Sequence, residues 1–509
     1  MTFLDSIPRL HEPPTIKIPD VFDPAVGKPD AEGVLTLQLF HGGAWQPAES
    51  GEVFEVRSPI DGTLVARAQK AGKEDVQQAI AAAKRARETM QAMPAAERIQ
   101  ICERAAEIMA RHADAFEHAI VNDLGKTPSS ARTETDRTVL RLELVREEVR
   151  KIFGDYIPGD WVQGTEGKSG VVLREPLGTV TAIGPFNYPL FTPAAKIIPA
   201  LAAGNTVMAK APSDSPFALL MFARMLDEAG LPGGALNVVT GPGSEIGDLL
   251  AGHEDISMVS FTGSTPVGYS LAAAAGPKPL HLELGGNAAA IVLADADAEQ
   301  AATATVKGAF NLAGQRCSAV SRVIVEEGIY DAYVEHALEE VRTWVLGDPR
   351  ADGVDVGPLK GPDEATRVNG LVEDAVKKGA ELLAGGEAAE AYHQPTMIVD
   401  VPLDAEIVWE ETFGPVLTVV RATNADQAVE IANQSRYGLD GAVFTRDLEK
   451  AWGVAAALKV GMVAVNDAPS HGVGHFPFGG RTPDSGVGRE GLGYSIDECT
   501  ALKTIVLPT

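Results

Sequence analysis

The sequence predicts an α/β protein built on parallel sheets with helices on both faces. Two observations lead there. From residue 178 onward, short apolar runs alternate with helical segments, the pattern of a parallel sheet. The chain has 509 residues, 45% of them hydrophobic and 22% charged, the balance of a globular protein whose core is divided among roughly two to four compact units.

Taken in order, residues 1–35 are rich in Pro, Asp and Gly without lasting periodicity and read as an arm lying on the surface. Regular helices are expected later. Residues 73–118 are dense in Ala, Glu and Arg, with Ile101, Ala105, Ile108 and His112 at the spacing of one helical face. Cys102, beside that face, reads as a buried core thiol. The run IPGDWVQGTEGKSG (157–170) breaks the helical pattern and marks a boundary. A first α/β series follows: TVTAIG (179–184), NTVMAK (205–210), a helix over 217–230, ALNVVT (235–240), a short helix at 244–250 and SMVSF (257–261). A second opens with LHLELGG (280–286) and AAAIVL (288–293). It runs through helices near 300–311 and 329–346, the strand SRVIV (321–325) and further alternation to a Gly-rich segment at 474–493. Ligands of such sheets bind at the carboxyl ends of the strands.

Charge narrows the partners. With 43 Lys and Arg against 70 Asp and Glu the net charge is −27, which repels phosphate backbones and anionic headgroups, so neither nucleic acid nor a membrane is an expected partner. The three cysteines are too scattered for a disulfide framework, the start lacks a basic segment followed by an apolar run, and no apolar stretch of ~18 residues occurs. These features predict a cytoplasmic protein. The histidines show no metal-ligand spacing, so no metal is expected, and His253, His281, His393 and His475 read as surface or packing residues.

Two glycine patterns compete for a phosphate. Gly241-Pro-Gly243-Ser-Glu-Ile-Gly247 follows one strand, and Gly263-Ser-Thr-Pro-Val-Gly268 follows another; neither is G-x-G-x-x-G, and a turn explains each as well as a phosphate site does. Cys317 lies in a polar, glycine-containing stretch directly after Arg316. Positive charge favours the thiolate, which makes Cys317 a candidate nucleophile. Glu283, at the end of an apolar strand, is a candidate general base whose pKa burial would raise; an edge glutamate in solvent is the competing reading.

As a set, the motifs ProPheAsnTyrPro (185–189), Lys210 after a strand, PheThrGlySer (261–264), GluLeuGlyGly (283–286), GlyGlnArgCys (314–317), GluGluThrPheGlyProVal (410–416) and ProPheGlyGly (477–480) make the chain resemble the aldehyde dehydrogenase superfamily over nearly its whole length. Through GDYIPGDW, REPLG, PFNYPLF, AGQRC, PFGGR and ALKTIV it is most similar to the non-phosphorylating glyceraldehyde-3-phosphate dehydrogenases, particularly the archaeal-type branch. The resemblance implies a Rossmann-type dinucleotide domain (36–154 and 176–285), an α/β catalytic domain (286–485) and a β-strand oligomerisation element (155–175 and 486–509). That element would join a homodimer or homotetramer.

It also implies roles. Cys317 would attack an aldehyde, with the oxyanion held by the Asn187 amide and the Cys317 N–H. Hydride would leave to nicotinamide, and Glu283 would activate the water that hydrolyses the thioester. Lys210 would reach the adenine-side ribose, while Gly263, Ser264 and Gly268 would lie beneath the pyrophosphate. Glu411, with Phe413 beside it, would hold the nicotinamide-side ribose. Pro185, Phe186, Phe261, Thr262, Leu284 and Gly285 would complete the cofactor cleft, and Gly241 and Gly243 are left as a turn touching the adenine side. Three residues after the lysine, where NAD-preferring members carry Glu, stands Ser213. This favours NADP, although Asp214 could replace the carboxylate and restore NAD. Arg137, Tyr188, Arg316 and Ser318 would receive the substrate, glyceraldehyde 3-phosphate becoming 3-phosphoglycerate. Ser470 and His471 stand where relatives carry an arginine, which leaves glyceraldehyde, lactaldehyde or succinate semialdehyde open. A catalytically inactive structural member is the alternative of another class.

Overall fold

The structure, a computed structural model, describes residues 3–27, 29–470, 474–491 and 493–508. Its first sheet has the strand order Gly486–Val487, Leu280–Glu283, Met258–Thr262, Thr179–Ile183, Thr206–Lys210, Leu236–Val239, Leu39–His41, Ala44–Gln46. The five strands from Leu280–Glu283 to Leu236–Val239 are parallel, and the short strands flanking them are antiparallel. All five are buried almost throughout because helices cover both faces. Chain order reverses between Thr179–Ile183 and Met258–Thr262. The loops after these neighbours therefore diverge and open a crevice at the carboxyl edge.

A second, seven-stranded sheet runs in the order Glu381–Ala384, Thr396–Val399, Val416–Ala422, Val320–Glu326, Ala288–Val292, Asp440–Phe444, Met462–Val465, parallel except at Glu381–Ala384. The segments entering its strands from the amino side carry Cys317 and Glu411. This edge faces the carboxyl edge of the first sheet, since the Gly286 N–H, just beyond Glu283, donates to Glu411 Oε1 at 2.9 Å. Each sheet has its own apolar core, one containing Val207, Leu219 and Val238, the other Ile291, Val323 and Leu417.

Residues 73–124 form three helices, Lys73–Ala92, Ala95–Arg111 and Ala113–Leu124, and Cys102 is buried in the second. The arm carries a short helix, Asp23–Val26, earlier than expected. Phe22 is fully buried and meets the Phe116 ring edge-on at 5.9 Å, so the arm is pinned to the core. Lys168–Pro176 lies between Asp155–Pro158 and Thr500–Pro508 in an antiparallel sheet with Tyr156, Leu502 and Val506 exposed. Gly486–Val487, expected within that element, instead extends the first sheet beside Leu282 and Glu283.

Candidate active site

Parallel register delivers the site residues together. Thr262 lies opposite Glu283 at the ends of adjacent strands, and Ile183 lies opposite Lys210. After Ile183 the chain turns through Gly184, whose hydrogen occupies space where a Cβ would sit 2.4 Å from Pro193, and brings Pro185, Phe186, Asn187 and Tyr188 to the crevice. Asn187 is buried, and its Nδ2 donates one hydrogen to the Gln315 carbonyl at 2.6 Å, two residues before Cys317.

The loop carrying Cys317 is strained. Leu312, Ala313 and Gly314 have φ of 57°, 53° and 71°, a conformation that non-glycine residues adopt only when their surroundings impose it. The surroundings are visible. Gln315 Oε1 accepts from Lys360 N at 2.8 Å, Gln315 Nε2 donates to the Pro358 carbonyl at 3.3 Å, and a Cβ on Gly314 would lie 2.1 Å from the Gly414 carbonyl. The glycines after Glu283 have equal cause. A Cβ on Gly286 would stand 2.1 Å from the Cys317 carbonyl oxygen, and one on Gly285 would press on Tyr437 at 2.7 Å.

A cleft open to solvent joins Cys317, Glu283, Thr262, Tyr188, Arg137, Arg316 and Ser318. Burial, reinforced by the Asp440, Glu411 and Glu283 carboxyls, pushes the Cys317 thiol up to about 12. This corrects the expectation that Arg316 favours the thiolate: one guanidinium nitrogen donates to the Gly308 carbonyl at 2.5 Å, and the thiol is governed by burial and the carboxyls instead. Glu283 is held well above the ordinary carboxylate range, first by burial and then by Glu490, against the opposing charge of Lys196. The reading of Glu283 as an edge residue in solvent is excluded, since it is 4% exposed. Ser318 Oγ lies 4.0 Å from the Cys317 sulfur.

At the outer end of the cleft, Arg137 makes no hydrogen bond or ion pair to any other described residue. It sits on the helix Pro128–Glu143, which no sequence pattern singled out. That helix also supplies Glu134, fully buried and paired with Lys126 at 2.5 Å, with Lys126 Nζ 3.9 Å from the centre of the Tyr188 ring. Glu134 Oε1 accepts from Leu190 N and Phe191 N, tying the cleft wall to the helix Phe191–Ala202. A signal for that wall existed in the sequence: Lys196 is the lone charge in an otherwise apolar helix, and it pairs with Glu490 at 3.3 Å. His471 lies outside the described residues.

Farther along the same edge, Lys210 Nζ donates to the Ala211 carbonyl and to Ser213 Oγ, and burial pushes its pKa down to about 8. Ser213 in turn donates to the Gly241 carbonyl at 2.9 Å. Gly243 opens the helix Gly243–Gly252 within van der Waals distance of the Lys210 side chain, so the glycine pattern read as a turn lies beside the lysine. Asp214 pairs with Lys360 at 3.0 Å across the cleft. Ser264 precedes the helix Thr265–Ala275, whose first N–H groups have no partners within the helix. Gly268 instead serves packing, because its N–H already bonds the Ser264 carbonyl and a Cβ there would lie 2.4 Å from Leu284. Gly263 likewise makes room for the Phe261 ring. Glu411 is pushed up to about 7 by burial, while Phe413, at φ 48°, meets Phe186 edge-on at 6.1 Å.

Comparison with known proteins gives the class. The aldehyde dehydrogenase family model matches residues 45–505, and the chain belongs to that family; it is an NAD(P)-dependent oxidoreductase that oxidises aldehydes. Among similar proteins, the NADP-dependent glyceraldehyde-3-phosphate dehydrogenase of Streptococcus equinus is 37% identical over 91% of this chain and 97% of its own. The 3-sulfolactaldehyde dehydrogenase of Priestia aryabhattai is 36% identical over 92% and 97%. The structure of NADP-dependent glyceraldehyde-3-phosphate dehydrogenase from Bacillus halodurans, complexed with NADP, superposes with a TM-score of 0.90 at 36% identity, covering 92% of this chain and 99% of that one. Among the described residues no helix is long and apolar enough to cross a membrane.

Proposed function

We propose that the protein oxidises glyceraldehyde 3-phosphate to 3-phosphoglycerate with NADP as the preferred cofactor. The observation that carries the substrate reading is Arg137, a guanidinium lining the cleft of Cys317 with no side-chain partner among the described residues. Planar guanidinium donors suit phosphate oxygens.

The chain's groups divide the work. Cys317 gives up its thiol proton to water in the open cleft, and the sulfur then attacks the aldehyde carbon. The second hydrogen of Asn187 Nδ2, together with the Cys317 N–H, receives the oxyanion, a contribution typically worth ~10²–10³ in rate. The first hydrogen of that amide is anchored on Gln315, so the donor is oriented before substrate arrives. The dinucleotide, when bound, supplies the hydride acceptor that turns the thiohemiacetal into a thioester. Glu283, once deprotonated, takes a proton from the water that attacks the thioester, releasing the acid and restoring Cys317.

The residues present fit a dinucleotide. A buried lysine amine with only neutral partners calls for an anion, and Ser213 beside it adds no repelling charge to a 2′-phosphate. Lys210, Ser213, Gly241 and Gly243 would hold the adenine end; Glu411, Phe186 and Phe413 would hold the nicotinamide end. Asp214, committed to Lys360, is a poor substitute for the missing glutamate. Because Lys210 loses its charge as pH rises through about 8, NADP affinity should fall across that range while NAD affinity changes less, a comparison that fluorescence titration makes directly. Equal pH dependence for both would place the 2′-phosphate elsewhere.

Arg316 has one nitrogen engaged with Gly308, which leaves Arg137 as the cleft guanidinium with no partner among the described residues, and one such group also suits a monoanion. This supports a second reading in which the substrate carries a sulfonate, as the 3-sulfolactaldehyde dehydrogenase relative is named to use. The experiment is a panel of glyceraldehyde 3-phosphate, sulfolactaldehyde, glyceraldehyde and lactaldehyde assayed with both cofactors. Arg137→Ala should raise KM for the anionic aldehydes about ten- to a hundredfold and leave the neutral ones almost unchanged, the loss of a charge-assisted contact. Equal losses on all four would make Arg137 structural, and a wild-type preference for lactaldehyde would overturn the anion reading. The three-stranded sheet with Tyr156, Leu502 and Val506 exposed is the surface through which we expect subunits to associate.

A further inference from the structure

Behind Glu283 lies a second, smaller cavity lined in part by Lys196, Ser260, His281, Ser495 and Glu498. His281 and Glu283 are two residues apart on the strand Leu280–Glu283, so both side chains leave the same face. His281 Nε2 lies 3.6 Å from Glu283 Oε1, and neither that nitrogen nor either Glu283 oxygen has a hydrogen-bond partner among the described residues. The other ring nitrogen, Nδ1, is hydrogen-bonded to Glu498 Oε2. Glu498 is held in place by Arg489 N–H, which donates to Oε1 at 2.7 Å. Side-chain exposure rises along this series, from 5% at Glu283 and 4% at His281 to 27% at Glu498. Gly488 leaves the space for it, since a Cβ there would lie 2.9 Å from both His281 Nδ1 and Glu498 Oε1.

We infer that His281 and Glu498 form a proton exit for Glu283, running behind the strand and available while substrate and cofactor fill the cleft in front. The inference rests on the reading of Glu283 as the base of thioester hydrolysis. In that step a water O–H bond breaks, a C–O bond forms and the proton goes to Glu283. Glu283 passes it to His281 Nε2, His281 gives its Nδ1 proton to Glu498, and Glu498 releases that proton to bulk water. Nothing is oxidised or reduced, and one proton leaves. The ring regains its Nδ1–H form by exchange with water through the second cavity. Imidazole is suited to this relay because one ring nitrogen can accept a proton while the other gives one up. The charged groups facing Glu283 are Glu490, Glu498, Lys196 and Arg489, and those facing His281 are Glu283 and Glu498, with Lys196 and Glu490 lining the same small cavity. Both His281 and Glu498 are positioning residues, acting only through Glu283.

The test compares His281→Gln, Glu498→Gln and the double variant in stopped flow and steady state, using the best aldehyde of the panel and NADP. The expected result is an intact first-turnover burst of reduced cofactor, an aldehyde KM within twofold of wild type, and kcat lowered about tenfold with the acid limb of its pH profile displaced. The double variant should be no slower than the slower single one, because the two groups act in series. Wild-type kcat and pH profile in Glu498→Gln would overturn the inference, as would losses that multiply in the double variant. Glu498 is partly exposed, so its variant decides the matter even where His281→Gln fails to fold. Glu283→Gln in the same assay separates the two claims: normal thioester hydrolysis there removes the base itself, whereas slow hydrolysis there with unaffected His281 and Glu498 variants removes only the exit.

Discussion

Replacing Cys317 with serine should lower aldehyde oxidation by at least about a thousandfold while leaving NADP affinity near that of the wild type. The sulfur is the strongest nucleophile the strained loop presents to the cleft beside Asn187, and the Ser318 hydroxyl 4.0 Å away is a far weaker one. The surroundings sharpen the expectation. Burial first, and then Asp440, Glu411 and Glu283, oppose a negative charge at this position, so the thiol loses its proton only with difficulty and a hydroxyl, intrinsically far less acidic, would be disfavoured further. Cofactor affinity should survive because Lys210, Ser213 and Glu411 hold their places through bonds that do not involve the Cys317 side chain. Measured kcat/KM within tenfold of wild type would remove Cys317 from the mechanism.

Glu283→Gln should divide the reaction in two. Glutamine preserves the shape of the buried carboxyl but cannot accept a proton from water, so hydrolysis of the thioester should slow by about 10²–10⁴ while the first turnover proceeds. Stopped-flow absorbance should then show a burst of reduced cofactor approaching one per active site, followed by a slow steady state. First turnover slowed as much as the steady state would assign Glu283 an earlier role.

Much of this architecture is legible in the sequence because buried parallel strands are short and mostly apolar. The runs at 179–184, 205–210, 235–240 and 257–261 each form a strand of the first sheet within a residue or two. The motif residues Asn187, Glu283 and Cys317 converge because all of them fall at strand ends, where backbone direction changes and side chains are freed from the sheet. What sequence does not encode locally is direction. Nothing in AGQRCS says that the Arg316 guanidinium turns away to Gly308, because that bond closes a loop whose left-handed turn at Leu312 and Ala313 is imposed by residues 358–360 and 414. Long-range pairs are equally silent. Lys126 with Glu134, Lys196 with Glu490, and His281 with Glu498 are separated by up to hundreds of residues and carry no periodic signal, so His281 reads as a packing residue until the strand and the carboxyl-terminal segment are side by side. Phe22 makes the same point for the arm: one fully buried ring in a Pro-rich stretch is enough to pin it.

The measurement that tests the central claim most directly is mass analysis of Glu283→Gln quenched in acid during turnover with glyceraldehyde 3-phosphate and NADP. The account predicts that the protein gains one acyl group per chain, that peptide mapping finds it on Cys317, and that hydroxylamine removes it as it does a thioester. An acyl group on another residue, or none while the variant turns over at the wild-type rate, would contradict it.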